Sequence, residues 1–157
     1  MDKPPISLFI PSYVVEYAVV DSTVKYMNKK NLWAGDELVG VVPKLAISKD
    51  IETSEFRLSH CNEEWEDLCA VQSATTIEEI KEIAEKHYQG INKNWIRTNY
   101  NESDAIALIE AEKEAVKCSF CGRSPWDEEI GRMVINEKAR ICELCIKSYY
   151  SLIQKNY

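Results

Sequence analysis

The chain has 157 residues, enough for one ordinary domain and a small appendage but too few for two full-sized domains. It is 45% hydrophobic and 29% charged, with no stretch approaching the roughly eighteen consecutive apolar residues of a transmembrane helix. The net charge of −7 is opposite in sign to the basic face that neutralises phosphates, so neither a membrane span nor nucleic-acid binding is expected. The apolar start, MDKPPISLFIPSYVVEYAVV, is broken by Pro11 and Glu16 and lacks a basic leading segment. No signal peptide is read there, and a cytoplasmic location is expected.

In chain order, Ile6 to Val20 is rich in β-branched and aromatic residues and predicts one strand, or two split at Pro11. Asp21 and Ser22 predict the cap of a short helix running to Lys29. Gly35-Asp36 predicts a turn, and Glu37–Leu45 a strand that Pro43 ends or places at an edge. Glu55–His60 alternates as a strand. A turn at Asn62-Glu63-Glu64 and a return strand over Trp65–Gln72 would complete a hairpin.

The clearest helix signal follows. Ile77, Ile80, Ile83, Ala84, His87 and Tyr88 recur at helical spacing, and Thr76 with Glu79 three residues later fits a capping box. Gly90 fits the stop. A second helix is predicted over Ser103–Val116, with an apolar side from Ala105 to Ala115 and an acidic side of Glu102, Asp104, Glu110, Glu112 and Glu114. It leads directly into Cys118 and would act as a semi-rigid connector. The expected fold is α+β, an antiparallel sheet with helices against it, over residues 1–115, followed by a small zinc domain over residues 116–157.

The zinc expectation rests on cysteine spacing. Cys118 and Cys121 form one C-x-x-C pair, Cys142 and Cys145 another, and twenty residues (122–141) separate them. This is the spacing of structural zinc sites, and the lack of a secretory leader argues for metal over disulfides. Two disulfides or unliganded thiols are the alternatives. A C-x-x-C turn aims two sulfurs inward, and two such turns complete the tetrahedron that Zn²⁺ favours. Gly122 suits the tight knuckle after the second ligand.

Between the pairs, residues 132–135 and 139–141 read as arms of a β-hairpin turning at Asn136-Glu137-Lys138, and a helix is predicted over Glu143–Gln154. Knuckle, hairpin and helix would make a treble-clef arrangement. One structural zinc per chain, closed by four protein ligands, leaves no position for a reacting water. Cys61 and Cys69 are expected to be free thiols.

The segment CSFCGRS…ICELCIKSYYSLI resembles the C4-type zinc-binding domain at the N-terminus of the ClpX unfoldase family. Cys118, Ser119, Phe120, Cys121, Gly122, Arg123, Ser124, Ile141, Cys142 and Cys145 carry the likeness, which covers about residues 116–154. No G-x-x-x-x-G-K-[ST] phosphate loop occurs in the sequence, so an unfoldase activity is not expected. The resemblance implies a protein-binding or self-associating domain, with Leu144, Tyr149, Leu152 and Ile153 as candidates for the surface and a homodimer through the zinc domain as one form. The N-terminal body looks like bacterial immunity proteins in size, acidity and α+β character only.

Residues 1–115 hold 12 Lys and Arg against 21 Asp and Glu, a net of −9, whereas residues 116–157 hold 7 against 5, a net of +2. An acidic body suits a basic protein partner or plain solubility. The expectation is a non-catalytic protein-interaction protein. Its partner would be a toxin neutralised by an immunity protein or, alternatively, the Clp unfoldase or its clients.

A catalytic body is the third reading. His60 and His87 are the only histidines. His60 and Cys61 are neighbours that a strand would point to opposite faces, and His60 could meet Asp67 across the hairpin. His87, near a helix end, reads as a surface or rim residue. Glu63, Glu64, Glu66 and Asp67 lack the glycine and spacing of a calcium loop. Of Trp33, Trp65, Trp95 and Trp126, the last, in the loop after the first knuckle, is the candidate for an exposed anchor.

Overall fold

The computed structural model describes residues 3–27, 32–34, 37–125, 127 and 130–155. The turn expected at Gly35-Asp36 and the candidate anchor Trp126 lie outside them. The chain folds as two compact units, Met1–Ile106 and Ala107–Tyr157.

The first unit is built on a five-stranded antiparallel sheet. Its elements are β1 (Ser12–Val19), β2 (Lys25–Tyr26), β3 (Leu32–Ala34), β4 (Glu37–Val39), β5 (Lys44–Asp50), β6 (Phe56–Cys61), β7 (Asp67–Ala74), α1 (Ile77–His87), β8 (Tyr88–Gln89) and β9 (Ile96–Arg97). The sheet order is β7-β6-β5-β1-β9, and β2 with β8 and β3 with β4 form separate two-stranded ladders. The α+β class read from the sequence is the one observed.

Residues 6–11 add no strand. The Ser7 and Ser12 hydroxyls both donate to the Phe9 carbonyl, which closes a turn ahead of β1. The helix predicted from Ser22 does not form over residues 21–27, and its expected end at Lys29 lies outside the described residues. Asp21 Oδ1 accepts the Thr23 amide and hydroxyl at 2.8 and 2.6 Å, an Asx turn that offers the backbone an alternative to a helical first turn. The chain then enters β2, paired through Tyr26 with Tyr88.

The strand expected over Glu37–Leu45 is two strands with a break at residues 40–43. Pro43 has no amide to give, and its carbonyl accepts the Val20 amide at 2.8 Å. β5 runs on to Asp50, well past the expected end. It is central in the sheet and buried on both faces, so its sequence lacks the alternation that marks a half-exposed strand.

On one face of the sheet, Leu45, Ile47 and Leu58 pack with Ile80, Ala84, Tyr88 and Ile91. On the other, Val14, Tyr17, Ala46, Cys61 and Trp65 form a second cluster. β1 breaks register between Val14 and Glu16. Thr98 occupies the bulge, its hydroxyl donating to the Val14 carbonyl at 2.6 Å and its amide to the Val15 carbonyl at 3.0 Å.

α1 has the predicted capping box, with the Glu79 amide donating to Thr76 Oγ1 at 3.3 Å and the Thr76 amide to Glu79 Oε2 at 3.3 Å. Thr76→Ala removes one half of it and is expected to lower the stability of the body by about 1 kcal/mol in urea titration. Gly90 does not end this helix. α1 stops at His87, and Gly90, at φ +95°, opens a 3₁₀ turn over Ile91–Lys93. Its amide donates to Glu85 Oε1 at 2.7 Å.

α2 (Glu102–Ala115) buries only Ala105. The second unit continues with β10 (Met133–Ile135), β11 (Arg140–Cys142) and α3 (Glu143–Lys155).

Candidate metal centre

The first knuckle forms because the chain turns back on itself right after α2. The Gly122 amide donates to the Cys118 carbonyl and the Cys118 amide to the Arg123 carbonyl, both at 2.9 Å. Gly122 sits at φ +72°, a conformation that costs a side-chain-bearing residue about 1–2 kcal/mol. Ser119 ties the knuckle to the hairpin, its amide donating to the Arg140 carbonyl at 2.8 Å and its hydroxyl accepting the Arg140 amide at 3.0 Å.

The hairpin pairs Met133 with Cys142, Val134 with Ile141 and Ile135 with Arg140. It turns at the expected residues, where Asn136 Oδ1 accepts the Lys138 and Ala139 amides at 2.8 Å. Cys142 is the last residue of β11, and Cys145 lies in the first turn of α3. Knuckle, hairpin and helix therefore deliver the two cysteine pairs to one point.

There the four sulfurs lie within 4.8 Å of one another. Cys118 Sγ is 3.9 Å from Cys145 Sγ, and Cys121 Sγ is 3.7 Å from Cys142 Sγ. Zinc–sulfur bonds of about 2.3 Å place tetrahedral sulfurs about 3.8 Å apart, so the residues present fit the ion. Cys118 and Cys142 are buried with Ile130, against which Met133, Leu144 and Cys145 pack. This is the unit's only cluster of buried side chains among the described residues.

The electrostatics point the same way. Burial opposes a thiolate at Cys118, but the amides of Cys121, Cys142 and Phe120 aimed at its sulfur outweigh burial and pull its pKa down to about 6. The Cys142 amide is 3.4 Å from that sulfur. Cys145 is pushed up to about 12 by burial and by the facing sulfurs of Cys121, Cys142 and Cys118. One negative charge thus discourages the next, an opposition that a divalent cation at the centre removes. The site is a structural zinc centre, with four sulfur donors and no open position.

The other candidate residues are not assembled into a comparable site. His60 and Cys61 face opposite sides of β6, as alternation requires: His60 lies against Tyr88, with ring centroids 5.9 Å apart, while Cys61 belongs to the cluster with Trp65. The His60 imidazole does not meet the Asp67 carboxylate, which lies instead against the His60 backbone amide. Asp67 pairs with Cys61 across the hairpin, and its carboxylate accepts the Ser59 hydroxyl at 2.9 Å. His87 is not a rim residue but is buried, with Gln72 Nε2 3.0 Å from its Nε2.

Cys61 and Cys69 are free thiols, and burial pushes the Cys61 thiol up to about 12. Glu63, Glu64 and Glu66 ring an exposed turn in which Asn62 Oδ1 accepts the Glu64 and Glu66 amides. Trp65 is core, and Trp95 packs against the α1 face.

Residues 116–155 match the family model of the ClpX C4-type zinc finger. The body has no recognised family. No solved structure matches the chain. Among the described residues, no helix is long and apolar enough to cross a membrane.

Proposed function

We propose that this chain is a cytoplasmic, non-catalytic protein-interaction protein in which the zinc centre holds up a binding surface on α3. The observation that carries this reading is that α3 buries none of its residues, although it is rich in large apolar side chains. Tyr150 and Ile153 are 61% and 59% exposed, and Tyr149, Leu152, Val134 and Ile135 are exposed as well. Phe120 from the knuckle meets Tyr149 edge-on at 5.5 Å, so the apolar patch runs from the knuckle onto the helix. A patch of this kind on a folded unit marks a contact with another protein.

The ClpX-type match supports a second copy of the chain as one partner. The acidic body, at −9 over residues 1–115, supports a basic protein as another, in the manner of an immunity protein bound to its toxin. The match also supports a Clp component as the partner, which a pull-down recovering Clp subunits would favour.

Native mass spectrometry with and without a strong chelator tests the reading. The expected result is a dimer with one zinc per chain that dissociates when zinc is removed. Tyr150→Glu with Ile153→Glu should keep the zinc and lose the dimer. A zinc-loaded protein that stays monomeric at all concentrations and binds no basic protein overturns it.

A further inference from the structure

Of the six cysteines, Cys121 is the exposed one. The three sulfurs facing it across the metal centre are shielded: Cys118 and Cys142 are buried and Cys145 is half-buried. The asymmetry follows from the knuckle. Residues 119–123 form its tip and are exposed, whereas the second pair lies at the junction of β11 and α3, in the cluster with Ile130, Met133 and Leu144. Beyond its chain neighbours, no heavy atom among the described residues lies within 4 Å of the point where a Cβ on Gly122 would stand. The chain immediately past Cys121 thus borders open solvent, and a small molecule reaches this sulfur without crossing the buried cluster.

Ligation makes that sulfur a nucleophile. A cysteine that holds a divalent ion is deprotonated, and the thiolate is the form that peroxides oxidise. Cys121 Sγ stands 3.7 Å from the Cys142 sulfur, which supplies a second thiol to capture the oxidised one. The body offers no such pair. Cys61 is fully buried with its thiol pushed up to about 12, and burial raises half-buried Cys69 as well. Both stay protonated and react slowly.

We propose that Cys121 is a site of oxidation by hydroperoxides, where a disulfide to Cys142 forms and the zinc is released.

In the first step the Cys121 thiolate attacks one oxygen of hydrogen peroxide. The O–O bond breaks, an S–O bond forms and hydroxide leaves. Cys121 becomes a sulfenic acid, oxidised by the two electrons that reduce the peroxide. The Cys142 thiolate then attacks the Cys121 sulfur, the S–S bond forms, the S–O bond breaks and a second hydroxide leaves. Two protons from solvent convert the hydroxides to water.

Two of the four donors are then spent, and Cys118 with Cys145 cannot close a tetrahedral shell. Cys142 also ends β11, and its amide is 3.4 Å from the Cys118 sulfur. Oxidation at the wet tip therefore loosens the hairpin and α3, while the body keeps its own two clusters of buried residues. This consequence follows from the metal centre itself and holds whichever partner the second unit takes.

The test is to titrate the full zinc-loaded chain with hydrogen peroxide. A chromogenic indicator reads released zinc, dimedone traps sulfenic acid, and peptide mapping by mass spectrometry locates the products. The expected result is one zinc released per disulfide formed, dimedone on Cys121, a disulfide joining Cys121 to Cys142, and Cys61 and Cys69 still reduced. A thiol reductant with added zinc should restore the metal content. Cys121→His, which offers an imidazole donor in place of the thiolate, should release zinc roughly tenfold or more slowly at the same peroxide concentration. Mapping of the wild type decides the matter even if that variant binds no zinc. Dimedone on another cysteine before Cys121, a first disulfide other than Cys121–Cys142, or zinc retained after Cys121 is oxidised overturns the proposal. So does a zinc-loaded Cys121→His variant that releases its metal at the wild-type rate.

Discussion

Cys142→Ser is expected to abolish zinc binding and to remove the cooperative fold of the second unit. Cys142 is fully buried, its amide supports the Cys118 sulfur, and it ends the strand whose partner begins at Met133. Among the described residues, only Ile130, Met133 and Leu144 join the cysteines in the cluster around the site. So small a core cannot offset the entropy of ordering some fifty residues. Metal binding supplies the difference, on the order of 10 kcal/mol or more in comparable zinc modules.

Zinc content by mass spectrometry should fall from one per chain to none, and hydrogen exchange should show the hairpin and α3 unprotected. A strong chelator should give the wild type the same pattern. Acid should also do so, since protons compete with the ion for thiolates and zinc affinity falls as the pH falls. A hairpin still protected in the zinc-free variant would show that the core holds without the ion.

Trp65→Ala is expected to destabilise the body by about 4 kcal/mol, and Trp65→Gly by about 1 kcal/mol less. The usual order is the reverse, because glycine has more unfolded freedom to lose than alanine. Trp65 has φ +66°, a region that a bulky residue enters only when something holds it there.

Two things hold it. The turn is set by Asn62, whose side-chain oxygen accepts the Glu64 and Glu66 amides at 3.0 and 2.8 Å and whose carbonyl accepts the Trp65 amide at 3.3 Å. The indole is 4% exposed, meets Tyr17 edge-on at 5.4 Å, and carries the Lys44 ammonium 4.7 Å above its ring. Burial outweighs the backbone cost. Alanine loses the burial and keeps the backbone cost, whereas glycine loses the burial and is relieved of that cost, a relief that outweighs its greater unfolded freedom. Urea denaturation of the two variants decides the order. An alanine variant clearly more stable than the glycine one would mean that position 65 is not held in the left-handed region.

Features legible in the sequence depend on residues close together in the chain. The C-x-x-C pairs announce the zinc centre because zinc geometry dictates the spacing of its ligands. Asn136 announces the hairpin turn because its own side chain accepts the amides two and three residues on. Thr76 and Glu79 announce the start of α1 because a capping box is closed within one helical turn. Asp21 misled for the same reason: its side chain suits a helix cap and an Asx turn equally, and only pairing with Tyr88 sixty-odd residues away selected the turn. β5 was cut short because strand alternation signals one wet face, and a central strand covered on both sides has none.

By itself, then, the sequence determined a zinc centre of four named cysteines, the hairpin and helix that deliver them, and one well-capped helix on an α+β body, all set by contacts spanning a few residues or by the fixed stereochemistry of one ion. Only the tertiary structure decided that Trp65 turns left-handed into the core, that the His60 and Asp67 side chains stand on opposite faces, and that both histidines are buried. Those outcomes depend on which strands become neighbours, and burial is a property of the assembled sheet, with no local pattern to announce it.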